Sequence, residues 1–150
     1  MLVEVYVDGA CRGNGKKDCL GGWGVYITCN SKSKTLKGYA LDTTNNQMEL
    51  QAAINALKMF NRRCDVELYT DSNYVVKGIT EWLSGWKKRN WKTANNEPVK
   101  NKDLWIELDV LSQTQNITFI WVKGHSGIEG NEIADKLANE AIDEYLESVK

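Results

Sequence analysis

The sequence predicts an α/β fold: a mixed five-stranded sheet of three antiparallel and two parallel strands, flanked by helices. Two observations lead to this prediction. Three strand-like segments with short connections occupy the first 41 residues, which is typical of an antiparallel meander. Strand-like and helical patterns then alternate to the C-terminus, which is typical of parallel strands joined by helical crossovers. With 150 residues, the chain is expected to form one domain over 1–150.

The predicted strands are segments rich in β-branched and aromatic residues. They cover 2–7, 24–28, 35–41, 66–70 and 117–122. Between the first two lies a stretch with six glycines in sixteen residues, from Gly9 to Gly24, which predicts turns.

The predicted helices show apolar residues at helical spacing. They cover 48–60, a segment that starts at about Ser72, then 104–111, and 130 to the C-terminus. Threonine and asparagine residues at 43–46 are suitable N-cap residues for the first of these helices.

Composition and charge exclude several classes of protein. The chain is 42% hydrophobic and 26% charged, with a formal net charge of −1, which is ordinary for a globular protein. No apolar run approaches the roughly 20 residues that span a bilayer, and Glu4 and Asp8 interrupt the apolar N-terminus, which argues against a signal peptide. A cytoplasmic protein that does not bind membranes, and that is a monomer, is therefore expected.

The four cysteines are expected to be free thiols. Without a secretion signal, a reducing compartment is the natural setting. No two cysteines have the C-x2-C spacing of a zinc site, and the chain contains a single histidine. The cysteines are Cys11, Cys19, Cys29 and Cys64.

Four acidic residues are notable for their positions. Asp8 and Asp71 lie at or near the ends of predicted strands, where open α/β sheets place their sites. Glu49 lies in the first turn of an apolar helix, and Asp135 lies near the start of the last helix. Taken singly, each could be a helix cap, a helix-dipole partner or a solvated surface acid.

Together, the four carboxylates suggest a metal site. If they converge, each pair 4 Å apart repels by about 4 kcal/mol at an effective dielectric near 20, so a cation must offset them. Ligation by oxygen alone favours a hard ion, Mg²⁺ or Mn²⁺. Two such ions would stabilise the attacking and leaving oxygens in phosphodiester cleavage.

The single histidine, His125, is the candidate for proton transfer. It lies between Gly124 and Gly127 in a loop that follows a predicted strand and precedes the Asp135 helix. Free imidazole titrates near neutral pH, which suits a general acid or base. An ordinary surface or core histidine is the alternative.

A basic, tryptophan-rich segment suggests a nucleic-acid contact. Residues 77–102 contain seven Lys or Arg and two Glu, whereas 129–150 contain seven acidic and two basic residues. The near-neutral net charge therefore hides a strong asymmetry. Trp82, Trp86 and Trp91 lie among the basic residues, so either a phosphate-binding patch or a solvated helix packed by its tryptophans is possible.

The motifs occur in an order that resembles a known family. The matching segments are YVDGAC at 6–11, GNG at 13–15, TTNNQMEL at 43–50, YTDS at 69–72, GWKK at 85–88, WVKGHSG at 121–127 and NEIAD at 131–135. This pattern resembles ribonuclease HI, the type 1 ribonuclease H family, over essentially the whole chain.

The resemblance implies a ribonuclease H-like sheet and an endonuclease that hydrolyses the RNA strand of RNA–DNA hybrids. It implies two-metal-ion catalysis with Mg²⁺, or possible replacement by Mn²⁺, and products with 5′-phosphate and 3′-hydroxyl ends. Asp8 would bridge both ions, Asp135 would complete the first site, and Glu49 and Asp71 would complete the second. His125 would assist water positioning or product release.

The resemblance also implies a set of substrate contacts. Asn14, Asn45 and Gln47 would contact RNA sugars, and Thr44 with Asn101 would hold a phosphate of the DNA strand. A basic protrusion at about 82–100 would grip the DNA strand through Trp82, Trp86, Lys87, Lys88 and Trp91.

Two departures and two alternatives accompany this interpretation. The segment after Gly13 is longer and more basic than the proline-containing turn of many relatives, which affects the placement of Asn14. Asp42 stands where relatives often carry a basic residue. The alternatives are another nuclease of the same superfamily, such as a junction resolvase or transposase core, and a module that binds hybrid or double-stranded RNA without cutting it.

Overall fold

The computed structural model describes residues 2–13 and 19–150. The strands are β1 (Leu2–Arg12), β2 (Leu20–Cys29), β3 (Lys32–Ala40), β4 (Asp65–Thr70) and β5 (Asn116–Trp121). The helices are α1 (Asn45–Leu57), α2 (Asn73–Lys77), α3 (Leu83–Lys88), α4 (Lys102–Ser112) and α5 (Glu129–Ser148), and a π-helical segment, Gly78–Trp82, joins α2 to α3.

The sheet has the order β3-β2-β1-β4-β5, with β1 at its centre. β1 and β2 are antiparallel, as are β2 and β3, whereas β1 with β4 and β4 with β5 are parallel. The predicted mixed sheet of three antiparallel and two parallel strands is therefore confirmed. Because Tyr6 of β1 pairs with Tyr69 of β4, this arrangement places Asp8, in the middle of β1, beside the C-terminal end of β4.

The glycine-rich stretch is mostly strand, which corrects the prediction of turns from Gly9 to Gly24. β1 continues to Arg12 and β2 begins at Leu20. The glycines are needed because helices approach the sheet closely there. A Cβ on Gly9 would lie 2.6 Å from the backbone nitrogen of Glu49 in α1, and one on Gly24 would lie 2.2 Å from the carbonyl oxygen of Ala134 in α5.

The core lies between the sheet and helices α1 and α4. Val5 and Val7 of β1 and Leu50 and Ile54 of α1 are fully buried, as is Trp105 of α4. α1 begins at the predicted N-cap: the Thr44 hydroxyl accepts a hydrogen bond from the Gln47 backbone N–H, and the Gln47 side chain accepts one in return from the Thr44 backbone N–H.

α5 covers the antiparallel strands on the other side of the sheet from α1. Arg12 at the end of β1 pairs with Asp143 at 2.7 Å, and Lys37 of β3 pairs with Glu140 and Glu144. These ion pairs neutralise part of the negative charge of residues 129–150. Within the described residues, no helix combines the length and apolar character needed to cross a membrane.

Two of the four cysteines lie next to each other. Cys11 in β1 and Cys19, just before β2, have Cα atoms 6.0 Å apart, a separation that a disulfide can span, so the expectation of free thiols stays a prediction for this pair. The antiparallel pairing of β1 with β2 brings these two positions together. Cys29 and Cys64 are free, as expected.

Candidate active site

An acidic cavity of about 390 Å³ lies where β1, β4, α1 and α5 meet. Its lining is almost entirely polar. The lining residues are Asp8, Gly9, Asn45, Asn46, Glu49, Asp71, Ser72, Asn73, Tyr74, His125 and Asp135. All five predicted catalytic residues are therefore brought to one place.

Three of the predicted metal ligands converge tightly. Asp8, Glu49 and Asp71 each offer a carboxylate oxygen, and these oxygens all lie within 4.8 Å of one another. Asp135 of α5 lines the same cavity, and its charge is close enough to raise the pKa of Asp8. We call these four residues the carboxylate cluster.

Each carboxylate is fixed by its secondary-structure element. Asp8 lies within β1, and its Oδ1 accepts a hydrogen bond from the Gly9 backbone N–H at 2.9 Å. Glu49 lies in the first half of α1, whose close approach to β1 depends on Gly9. Asp71 lies between the end of β4 and Ser72, which caps α2 by accepting a hydrogen bond from the Val75 backbone N–H.

Burial and mutual repulsion raise the proton affinity of Asp8 and Glu49. Asp8 is 4% exposed, and burial, followed by the charges of Asp71 and Asp135, raises its pKa to about 8. Glu49 is 5% exposed, and burial, followed by the charges of Asp8 and Asp71, raises its pKa well above the usual carboxyl range. The neutral forms of these two carboxyls are favoured because, among the described residues, no lysine or arginine lines the cavity.

The donor set fits a divalent cation. Glu49 Oε1 is buried without a hydrogen-bond partner among the described residues, and a buried oxygen without a partner is costly unless a ligand satisfies it. Carboxylate oxygens are the ligands that Mg²⁺ and Mn²⁺ prefer. The site therefore suits a hard divalent ion better than a soft one.

The loop after β5 supplies His125 and also contacts Asp71. His125 lines the cavity with a left-handed backbone, φ 56°. The Trp121 indole N–H donates to the Asp71 carbonyl oxygen at 3.0 Å. A Cβ on Gly124 would lie 2.8 Å from Asp71 Oδ2, so glycine there leaves room for that carboxylate.

The predicted substrate contacts near the N-terminus of α1 do not all lie in the cavity. Asn45 lines the cavity, and so does Asn46, which the sequence interpretation did not single out. Gln47 does not line the cavity; its side chain bonds to Thr44 and to Asn101 instead. Thr44 and Asn101 are thus linked, and each stands at the N-cap position of a helix.

The basic protrusion is anchored by aromatic packing. The rings of Trp82 and Trp86 have centroids 5.8 Å apart, and Trp86 packs edge-on against buried Trp105 at 5.4 Å. Trp91 is 6.4 Å from Trp86, and both are partly buried against the core. Trp82 is the most exposed of the three, at 36%.

The charges of the protrusion are not equivalent. The Lys87 ammonium lies 3.1 Å from the carboxylate of Asp109, which is mostly buried in α4. Lys88 and Lys92 are exposed, and among the described residues neither takes part in an ion pair shorter than 4.0 Å. Lys87 therefore secures the protrusion, while Lys88 and Lys92 are available to a ligand.

Several residues fall outside the sequence interpretation or the described structure. Asn14 lies outside the described residues. Tyr74 and Asn73 line the cavity without having been singled out, although their position just after the YTDS segment is the signal that could have identified them. A larger cavity of about 670 Å³ at the opposite end of the sheet has Asp65 as its single acidic residue and offers no comparable cluster.

A mixed sheet with a carboxylate cluster between the middle of β1 and the C-terminal end of β4 defines an α/β protein with a donor set that fits a hard divalent cation. The chain belongs to the RNase H family, whose model matches residues 2–143. This confirms the family resemblance found in the sequence motifs.

Named relatives and solved structures agree with this membership. The chain is similar to the ribonuclease H of Pseudomonas fluorescens, with 54% identity over 95% of this chain and 93% of the relative. It is 58% identical to the ribonuclease H of Chromohalobacter salexigens over 95% of this chain and 85% of the relative.

Among solved structures, LC9-RNase H1, a type 1 RNase H with the type 2 active-site motif, is similar with a TM-score of 0.84. It shares 33% identity, over 95% of this chain and 72% of that chain. LC11-RNase H1, solved in complex with an RNA/DNA hybrid, is similar with a TM-score of 0.73 and 27% identity, over 96% of this chain and 99% of that chain.

Proposed function

We propose that this protein is an endoribonuclease that hydrolyses the RNA strand of RNA–DNA hybrids, leaving 5′-phosphate and 3′-hydroxyl ends. The observation that carries the proposal is the convergence of Asp8, Glu49 and Asp71 oxygens within 4.8 Å, with Glu49 Oε1 lacking a hydrogen-bond partner in the described part of the chain. Relatives named ribonuclease H, and a similar protein solved with an RNA/DNA hybrid, support the choice of substrate.

The proposed cofactor is Mg²⁺, with Mn²⁺ as a possible replacement, and two ions bind when substrate is present. Asp8, Glu49, Asp71 and Asp135 would hold them, and bound ions would supply an activated water and charge neutralisation at the leaving 3′ oxygen. The cluster stays rigid because Asp8 lies within the central strand and Glu49 within a helix packed against it.

The remaining residues bind and orient the hybrid. His125, on the loop after β5, moves a proton at the product or helps to position the water. Asn45 and Asn46 line the cavity beside Glu49, and their amides are suited to hydrogen bonds with RNA 2′-hydroxyls. Thr44 and Asn101 hold a DNA phosphate, and the protrusion at about 82–100 grips the DNA backbone with Lys88 and Lys92.

The proposal extends to the state of the protein in the cell. Residues 1–150 form one catalytic domain that acts as a cytoplasmic monomer. Sedimentation of the protein with and without hybrid measures the stoichiometry of the complex; one protein per short hybrid supports the monomer, and a dimer in both states contradicts it.

A cleavage assay with matched duplexes tests the proposal. One end-labelled RNA strand is annealed to DNA or to RNA, and a DNA–DNA duplex of the same sequence is labelled in parallel. Each is incubated with Mg²⁺, Mn²⁺ or EDTA. Metal-dependent internal cuts in the RNA of the hybrid alone support the proposal, and extension of the fragments by a polymerase checks the 3′-hydroxyl ends. Hybrid binding without cutting under either ion contradicts it and favours a binding module.

A further inference from the structure

A chain of hydrogen bonds joins the N-terminus of α1 to the N-terminus of α4. Gln47 Oε1 accepts from the Thr44 backbone N–H at 3.2 Å and from the Thr43 hydroxyl at 2.9 Å. On the other side of the same amide, Gln47 Nε2 donates to Asn101 Oδ1 at 3.1 Å. Gln47 therefore connects the two helix caps through a single side chain.

The chain continues from Asn101 to α2 and back to the core of α4. Asn101 Nδ2 donates to the Tyr74 hydroxyl oxygen at 3.1 Å, and the Trp105 indole N–H donates to the same oxygen at 2.9 Å. Trp105 is fully buried, whereas Asn101 is half-buried and has a left-handed backbone, φ 60°. The Asn101 amide thus lies at the surface end of a network rooted in the core.

Gln47 determines which group donates and which accepts in each of these hydrogen bonds. A backbone N–H can only donate, so the Thr44 N–H requires the oxygen of the Gln47 amide to face it. The Gln47 NH₂ group must then face Asn101, and the Asn101 side-chain oxygen must face Gln47 to accept its hydrogen bond. The Tyr74 hydroxyl would not impose this direction, because a hydroxyl can donate or accept.

The consequence concerns the group that Asn101 presents to solvent. Its Oδ1 is used by Gln47, and its NH₂ group has two N–H bonds, of which one is directed to Tyr74. Among the described residues this NH₂ group has no other hydrogen-bond partner, so the second N–H is left for a ligand. A donor suits an anionic phosphate, whereas the reversed amide would present an acceptor and repel it.

We propose that Gln47 is a positioning residue that orients the Asn101 amide so that it donates to a phosphate of the DNA strand. This rests on the proposed function, in which Thr44 and Asn101 hold that phosphate. Gln47 itself touches neither strand, in contrast to the sequence-based expectation that it contacts RNA sugars.

A double-mutant cycle tests the proposal. Gln47→Met keeps the length of the side chain but removes both the acceptor and the donor, and Asn101→Gly removes the amide while fitting the left-handed backbone. Hybrid affinity is measured by titration in EDTA, and the cleavage rate is measured separately in Mg²⁺ at saturating enzyme. Gln47→Met should weaken binding by roughly ten- to a hundredfold, the scale of one hydrogen bond to a charged group, with no loss of the saturated rate.

The cycle separates an indirect role from a direct one. In the Asn101→Gly background, Gln47→Met should weaken binding by less than about twofold, because the amide it orients is gone. A full additional loss in that background would mean that Gln47 contacts the hybrid itself and would overturn the proposal.

A matched control separates amide orientation from loosening of the helix end. Thr43→Val removes one donor to Gln47 Oε1 but leaves the Thr44 N–H, so hybrid affinity should stay at the wild-type value. Weakening equal to that of Gln47→Met would contradict the proposal. If the wild-type protein binds hybrid without cutting it, the proposed nuclease function fails while the affinities still decide the role of Gln47.

Discussion

The carboxylate cluster and the basic protrusion differ in whether their charged groups are buried or exposed. The cluster buries like charges: Asp8 and Glu49 are at most 5% exposed, and Glu49 Oε1 has no partner among the described residues. The protrusion exposes its lysines and packs part of its aromatic surface against the core: Trp86 lies on Trp105 while Lys88 remains exposed.

This difference indicates a division of labour. Buried carboxylates without a counter-charge destabilise the folded protein unless a cation binds. We therefore expect the carboxylate cluster to function with a cation bound. Exposed lysines on a packed aromatic base cost little to maintain and attract phosphates at long range. We therefore expect the cluster to determine the rate of cleavage and the protrusion to determine affinity.

The largest effect is expected from Asp8→Asn. This change removes the central ligand and should reduce cleavage by roughly a thousandfold, the upper scale for a single group that stabilises transition-state charge. Hybrid binding should persist because a charge that repels phosphate is lost. Cleavage of labelled hybrid and affinity in EDTA measure the two effects.

The matched control for that change is Asp65→Asn, an exposed carboxylate at the other end of β4. It should cleave at the wild-type rate. Full activity in Asp8→Asn would remove the cluster from the mechanism.

A second prediction concerns pH in the absence of metal. Asp8 has its pKa raised from 3.8 to about 8, so the folded protein holds a proton that the unfolded chain releases between these values. Its contribution to the free energy of unfolding is therefore fully present below pH 4 and is lost as pH rises towards 8. Thermal unfolding in EDTA should show a melting temperature that falls over this range more steeply for wild type than for Asp8→Asn.

Added Mg²⁺ should reverse that trend, since the ion binds the deprotonated cluster. The increase in melting temperature on adding Mg²⁺ should be larger at pH 8 than at pH 5. An equal increase at both pH values, or one retained in Asp8→Asn, would show that the ion binds elsewhere.

A third prediction separates the lysines of the protrusion. Lys88→Ala and Lys92→Ala should each weaken hybrid binding and flatten its salt dependence, by roughly 0.9 in log–log slope per lost phosphate contact. Lys87→Ala should change the slope less and lower the free energy of unfolding by up to about 1 kcal/mol, because its ammonium pairs with Asp109. Affinity over a series of salt concentrations, with chemical denaturation alongside, checks both parts; equal slopes for all three variants would mean that Lys87 leaves Asp109 to bind the hybrid.

The smallest effect is expected from Trp121→Phe. This change keeps an aromatic ring but removes the N–H that holds the Asp71 carbonyl oxygen. The Mg²⁺ concentration for half-maximal cleavage should rise a few-fold, with hybrid affinity unchanged. Trp23→Phe, in β2, is the control; a similar shift in that variant would point to general loosening rather than to Asp71.

The carboxylate cluster was accessible to sequence reasoning because its acidic residues interrupt apolar strand and helix patterns or follow a strand. Asp71 follows a strand and precedes a helix cap, and the alternation of strands and helices predicted that β4 joins the sheet as a parallel strand. The strands through the glycine-rich stretch were missed, because the glycines serve close packing of α1 and α5 that no local pattern reveals.

The finer arrangement of binding residues depends on contacts between distant segments. Lys87 looked equivalent to Lys88, but its partner Asp109 lies 22 residues further along the chain. Gln47 looked like a substrate contact, but its amide faces Asn101, which is 54 residues away. Such pairings become visible only when the helices are placed in three dimensions.

A single-turnover measurement tests the division of labour most directly. Cleavage of labelled hybrid is followed in Mg²⁺ with increasing excess of enzyme for Glu49→Gln and for a variant with Lys88, Arg89 and Lys92 all changed to Ala. We predict that the protrusion variant reaches the wild-type rate once enzyme is saturating, whereas Glu49→Gln remains roughly a hundredfold slower at every concentration. A protrusion variant that stays slow at saturation, or a Glu49→Gln protein that recovers the wild-type rate, would contradict the account.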